Sequence, residues 1–460
     1  MTRGGDETRH RAHGIGFAQA AKVWALVGLN SFGGPAGQIA VMHRMVVEQH
    51  RWFSEQRFLH ALNYCMLLPG PEAQQLATYL GWLLHGARGG LVAGGLFILP
   101  GFMAIMTLSV LYAGFGDVAA VEAIFYGIQP AVMAVVASAV VRIGRRALRN
   151  RTMLGIAAAA FVGIFFLDIP FPFIIVAAGI GGFVGGRLRP ATFTVLGGHE
   201  AADDDHAPPV FSDEPADRIR PSTRRSVALL ATGLLVWFTP LAVLATWLGP
   251  HNVYVQAGSF FSTAAVVTFG GAYAVLAYIA QQAVQTYGWL APGEMLDGLG
   301  MAETTPGPLI QVVQFVGFMA AYRAAGGIDP MLAGVAGAVL VTWATYVPCF
   351  LWIFLGAPYI EYLRGNRHLT AALSAITAAV VGVILNLAAW FSLHTIFADV
   401  AEIHVGDIRL YQPDLATADP LAAALALGAF YLLFRRGWSM LATLGICAAS
   451  GATLYLTVLT

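Results

Sequence analysis

The chain has 460 residues, 58% hydrophobic and 11% charged, with 25 basic against 25 acidic side chains and a mean hydropathy of +0.69. A soluble domain is roughly a quarter charged, so this composition excludes one, and a net charge of zero excludes a generally basic nucleic-acid surface. What remains is a chain built for lipid, and its apolar runs of about 20 residues point to helices rather than to the shorter alternating strands of a barrel.

In chain order, the tail 1–16 mixes Arg3, Arg9 and Arg11 with Asp6 and Glu7, and no small-residue cleavage pattern follows it, so no cleaved signal peptide is expected. The first apolar segment carries the only lysine, Lys22, about a turn in, where it either snorkels to the interface or meets a substrate. That segment breaks at Phe32-Gly33-Gly34-Pro35, with Gln38 nearby. His43, Arg44, His50 and Arg51 follow, as ordinary interfacial cations or as attractants for an anion. A second break, Leu67-Leu68-Pro69-Gly70-Pro71-Glu72-Ala73-Gln74-Gln75, precedes apolar runs at 91–113, 119–141, 153–168 and 171–186. The polar stretch 187–225 reads as a linker, and its Asp203-Asp204-Asp205 as a solvated charge run rather than a metal site. Beyond it lie a run at 227–248, the break Phe269-Gly270-Gly271 with Tyr273, the break Glu303-Thr304-Thr305-Pro306-Gly307-Pro308-Leu309-Ile310-Gln311, and runs at 331–356 and 369–393. Cys65, Cys349 and Cys447 show no ligand spacing, so no disulfide, metal or cofactor is expected.

The breaks recur in register. Pro69 and Pro306, Phe32 and Phe269, and Trp52 and Trp289 are each 237 positions apart, which identifies a duplication. Pro100 and Pro348 correspond at an offset of 248, and five spans separate them. An odd number inverts the second half in the membrane, and broken segments in corresponding places of inverted halves are the sequence pointer to a transporter's substrate site. The expected architecture is an all-α integral membrane protein of two inverted repeats with broken or re-entrant helices at the Phe-Gly-Gly and Pro-Gly-Pro motifs. Its expected divisions are a cytoplasmic tail 1–16, a first repeat 17–186, a cytoplasmic linker 187–225, a second repeat 226–398, and an extracytoplasmic loop with carboxy-terminal helices 399–460. With the amino terminus cytoplasmic and each break a hairpin tip, all but Arg323 and Arg409 of the 25 basic residues fall inside.

Proline suits a helix start, so Pro71 and Pro308 each predict one, whose first-turn N–H groups form an anion site with the positive end of the helix dipole. Neutral donors stand beside them: Gln74, Gln75, Thr304, Thr305 and Gln311. Gly33, Gly34, Gly70, Gly270, Gly271 and Gly307 permit close backbone approach, either to a ligand or between helices. Glu72 and Glu303 adjoin the turns; an ionisable group at membrane depth faces a pathway or pairs with something, leaving proton coupling and a neutral capping carboxylate both open. No His-Glu-x-x-His, Gly-x-Ser-x-Gly or paired Asp-rich turns accompany them, so an enzyme is not expected.

The run from Phe32-Gly33-Gly34-Pro35 through Trp52, Leu68-Pro69-Gly70-Pro71-Glu72-Ala73-Gln74-Gln75, Gly81-Trp82 and Gly89-Gly90-Leu91 to Leu99-Pro100-Gly101 resembles the chromate ion transporter family. Ala302-Glu303-Thr304-Thr305-Pro306-Gly307-Pro308-Leu309-Ile310 and Gln314-Phe315-Val316-Gly317-Phe318 carry the same likeness in the second half, which leaves out the tail, the linker and the region after about Asp399. The resemblance implies the long, two-domain form, a bacterial inner-membrane carrier that expels chromate using the membrane potential or proton gradient and confers resistance, with sulfate as the usual competitor. A tetrahedral dianion suits paired helix starts, and backbone amides, which read charge and size, do not separate chromate from sulfate or another oxyanion. Oligomeric state is not encoded legibly, although a homodimer is the commonest closed arrangement.

Overall fold

The computed structural model describes residues 14–116, 118–193, 222–269, 272–359 and 367–459. Seven of the described helices are long and apolar enough to cross a membrane. Between them lie helices too short to do so.

The first half begins with short pieces. α1 (Phe17–Asn30) has 14 residues and α3 (Glu55–Cys65) has 11, about 21 and 17 Å at 1.5 Å per residue, against roughly 30 Å of hydrocarbon. α2 (Gly34–His43) continues into a wider turn over Arg44–Gln49. α4 (Glu72–Phe115) leaves helical conformation at His85 and at Gly86, whose φ is 61°, so a short helix from the Pro-Gly-Pro turn joins a long one there. Long helices α5 (Ala119–Ala147) and α7 (Phe171–Leu188) follow, with the 15-residue α6 (Arg151–Phe165) between them and a single turn α8 (Pro190–Phe193) after them.

The second half repeats the pattern. After α9 (Thr223–Leu248) come α10 (Val253–Val267), α11 (Ala272–Gln281), α12 (Pro292–Thr304), a tight turn Leu309–Gln311 leading into α13 (Val312–Arg323), α14 (Pro330–Gly356) and α15 (Arg367–Ile396). α5 and α15 start 248 positions apart, the offset that relates Pro100 to Pro348. A β-hairpin, β1 (Val400–Val405) paired antiparallel with β2 (Ile408–Pro413), then interrupts the helices, its turn made by Gly406 at φ 63° and Asp407. α16 (Pro420–Phe430) and α17 (Met440–Leu454) close the chain. The hairpin is the one departure from the all-α expectation, and it lies in the polar stretch after α15.

The two halves are inverted. Gly90 packs on Phe354 and Gly94 on Phe350, so α4 and α14 cross antiparallel. At one end of the molecule, His85 bonds the Ile15 carbonyl, and Ile15, Val46, Trp52 and Trp82 share an apolar cluster with Ile353 and Ala357 at the end of α14. At the other end, Tyr254 donates to the Ala333 carbonyl, Phe260 meets Tyr287 at a tilt and Trp289 edge-on, Arg323 donates to the Trp289 carbonyl, and Tyr322 donates to the Ala113 carbonyl at the end of α4. His85 thus lies beside the start of α1, while in the second half the start of α10 lies beside the start of α14 and the end of α13 beside the end of α4.

Helix pairs are exchanged between the halves. α6 and α7 pack on α15, while α16 and α17 pack on α5. Small residues allow the approach: Gly127 of α5 meets Gly451 of α17, and at the corresponding place Gly182 of α7 meets Ala375 of α15. In position, α16 and α17 are to α5 what α6 and α7 are to α15.

Candidate functional site

The four hairpin tips meet inside the molecule. The bonds that join them are reciprocal. The Gly307 amide donates to the Ser31 carbonyl at 2.8 Å, and the Gly70 amide donates to the Thr268 carbonyl at 2.9 Å. Both donors and both acceptors are related by 237, so each Pro-Gly-Pro turn is fastened to the Phe-Gly-Gly break of the opposite half.

The cause is local. Ser31 and Thr268 end α1 and α10, where carbonyls have no helical partner, and Gly70 and Gly307 lie in turns whose amides have none either. At membrane depth water does not satisfy such groups, so pairing the two orphans removes a cost of several kcal/mol each. Both hydroxyls turn back on their own helices, Ser31 to the Val27 carbonyl at 2.6 Å and Thr268 to Ala264 at 2.5 Å, again corresponding residues. Gln38, buried, adds a bond from its amide to the Gly307 carbonyl at 2.8 Å.

Each turn also seats on the proline-bearing helix of the other half. A Cβ on Gly70 would lie 2.9 Å from Cys349 Sγ and 2.7 Å from Gln75 Nε2, and one on Gly307 would lie 3.1 Å from the Gly101 backbone. Gly101 and Cys349 follow Pro100 and Pro348. Both turn glycines have positive φ, 128° and 98°, a conformation that favours glycine.

The expected helix starts are present, displaced by one residue. Pro71 and Pro308 precede the helical turns rather than opening them, and neither start carries a side-chain cap. The first-turn amides of Glu72, Ala73 and Gln74, and of Leu309 and Ile310, are thus the backbone donors at the tips. The side chains expected to donate are largely engaged within the protein. Gln74 donates to Thr78 at 3.0 Å, Gln75 to the Pro69 carbonyl at 2.7 Å, and Gln311 to Gln314 at 2.5 Å while accepting from Tyr346 at 2.8 Å. Thr304 is exposed, with its hydroxyl on the Gly300 and Met301 carbonyls, and Thr305 is buried over Ala302. Gly33 and Gly34 begin α2 with φ of 80° and 75°, and Gly34 faces the Tyr273 hydroxyl. Gly270 and Gly271 lie outside the described residues.

The two carboxylates differ. Glu303 is 2% exposed; Tyr273 donates to its Oε1 at 2.7 Å, and Oε2 has no hydrogen-bond partner among the described residues. Arg142 of α5 is the cation whose charge bears on both Tyr273 and Glu303. Glu72 is half-buried in the first turn of α4. Lys22 is exposed on α1. Sequence reasoning did not single out Arg142, which reads as one of a cluster of interfacial arginines, nor Asp297, a lone acid in α12.

No solved structure matches the chain. A chromate transport protein of Pseudomonas aeruginosa is 33% identical over 369 residues, 78% of this chain and 76% of that one. One of Cupriavidus metallidurans is 26% identical over 82% of each chain, and a probable chromate transport protein of Synechococcus elongatus is 24% identical over 82% of this chain and 85% of that one. The chromate transporter family model matches residues 18–183 and 255–452, so the likeness runs past Asp399, where the quoted motifs stop, and takes in α16 and most of α17. Two matched regions covering most of the chain, each with its Phe-Gly-Gly and Pro-Gly-Pro breaks, show that the chain belongs to the chromate transporter family.

Proposed function

We propose that the protein is a secondary carrier that expels chromate across the bacterial inner membrane, driven by the membrane potential or the proton gradient. The observation that carries this reading is the reciprocal pair of bonds joining Gly70 to Thr268 and Gly307 to Ser31. It supports a shared site where re-entrant tips from both faces meet. In this reading the amino terminus is cytoplasmic, and the Ile15–His85 end of the molecule faces the cytoplasm with its arginines.

The oxyanion is held by the first-turn amides of α4 and α13, which supply donors and positive dipole ends without a fixed countercharge. Gln74, Gln75 and Gln311 rotate from their internal partners toward it, and Gly33, Gly34, Gly270 and Gly271 let the backbone approach; Thr305 and Pro71, Pro308 shape the turns. Thr304, facing outward, borders the site. Because each turn glycine is packed shut, the structure corresponds to a closed form, and transport requires the turns to part from the opposite repeat one side at a time. Glu303, beside Arg142 and Tyr273, and Glu72 exchange protons with the passage of the anion.

A proteoliposome assay of radiolabelled chromate flux, with sulfate as competitor and with and without an imposed potential or proton gradient, tests this. Saturable chromate flux that follows the gradient is expected. Flux no greater than in protein-free vesicles would contradict it, and preference for sulfate would replace chromate by its analogue without moving the site.

A further inference from the structure

α12 buries a second carboxylate that the oxyanion site does not use. Asp297 is 5% exposed and lies six residues before Glu303, about 9 Å away along the helix axis. Tyr112 of α4 donates to its Oδ2 at 2.9 Å, and Gln129 of α5 donates to its Oδ1 at 2.9 Å. Among the described residues it has no ion pair. The charged groups nearest it are on α12 and α13: Glu294, one turn earlier, is itself bound to Arg323. Two neutral donors do not compensate a full charge removed from water, and a proton on the carboxylate does.

Its placement has a direction. Arg323 and Glu294 are partly exposed and mark the solvent end of α12, Asp297 lies one turn further in, and Glu303 stands at the tips with Oε2 unpartnered. The corresponding helix of the first half has none of this: 237 positions earlier stand Arg57, His60 and Met66 in place of Glu294, Asp297 and Glu303. Among the described residues, a line of carboxylates from a helix's solvent end to the tips is therefore present in α12 and not in α3.

We propose that Asp297 is a second proton-carrying residue, taking protons from the Trp289–Arg323 end and serving Glu303, so that proton entry is confined to the face opposite the one that loads the anion. This rests on the oxyanion-carrier reading. The step moves one proton between carboxylates and solvent, with Tyr112 and Gln129 holding Asp297 in both states.

The test compares Asp297→Asn and Asp297→Glu with the unsubstituted protein in proteoliposomes. Oxyanion–oxyanion exchange at zero gradient and gradient-stimulated flux, with proton movement followed by an internal pH dye, are measured together. Asp297→Asn is expected to retain exchange within about twofold while losing gradient stimulation by about tenfold, and Asp297→Glu to restore it. Undiminished gradient stimulation in Asp297→Asn would overturn the proposal. So would an equal loss of exchange and stimulation, which marks a structural role. Exchange without any proton stimulation in the unsubstituted protein would remove the relay but leave the carrier; no exchange at all would remove both.

Discussion

Gly70 and Gly307 each combine a left-handed backbone, a bonded amide and a seat against the opposite repeat, so a side chain there fails on three counts. Gly70→Val and Gly307→Val are expected to reach the membrane folded yet lose flux, measured against protein recovered by size-exclusion chromatography; flux near that of the unsubstituted protein in either variant would remove the tips from the transport cycle. Gln38→Leu takes one donor from the Gly307 carbonyl and leaves it under-satisfied, an effect of about 1–3 kcal/mol seen as a lower denaturation midpoint. Glu303→Gln keeps a partner for Tyr273 but cannot change charge. It is expected to weaken proton-dependent flux more than chromate affinity, and an equal loss in both would assign Glu303 to binding instead. At this scale the sequence was readable where a residue type is forced. Turn glycines and the prolines just before a helix start have few substitutes. The partners of Gln74, Gln75 and Gln311 were not readable, because an amide side chain serves a neighbour or a ligand equally well until its surroundings are known. Asp297 was invisible for a different reason: its donors, Tyr112 and Gln129, stand 185 and 168 positions away.

Among the elements, the exchanged packing of helix pairs governs stability. Gly127 approaches Gly451 so closely that a Cβ on Gly451 would lie 2.2 Å from the Gly127 Cα. Gly451→Leu is expected to wedge α17 from α5 and cost about 1–3 kcal/mol, read as a lowered thermal midpoint; an unchanged midpoint would show that the pair is loosely packed. The long helices were legible because runs of about 20 apolar residues have one solution in lipid. The short ones were legible as breaks, but hairpins and kinked full spans are equally compatible with the hydropathy, and the placement of the basic residues assumes the hairpins instead of deriving them. The β-hairpin went unseen, since Val400–Pro413 alternates in a polar stretch where a loop is equally compatible with composition. Its Arg409 is buried against Asp168 at 2.7 Å and against the Ile164 carbonyl at 2.6 Å, which ties the hairpin to the turn between α6 and α7.

For the whole molecule, the offsets of 237 and 248 encoded the duplication and the odd number of spans between Pro100 and Pro348 its inversion, and the reciprocal bonds between Gly and Ser or Thr are the form that symmetry takes at the centre. The motifs faded after Asp399 although α16 and α17 complete the second half, because lipid-facing helices need only be apolar and small at the contacts. The central claim is that an oxyanion sits where these tips meet and is reached from each side in turn. The most direct measurement places a cysteine at Gln74 in protein freed of its native cysteines and follows its modification by a membrane-impermeant thiol reagent applied to either face, with and without chromate. Modification from both faces, suppressed by chromate on each, is the expected result. Modification from one face only, or at a rate chromate does not alter, would contradict the account.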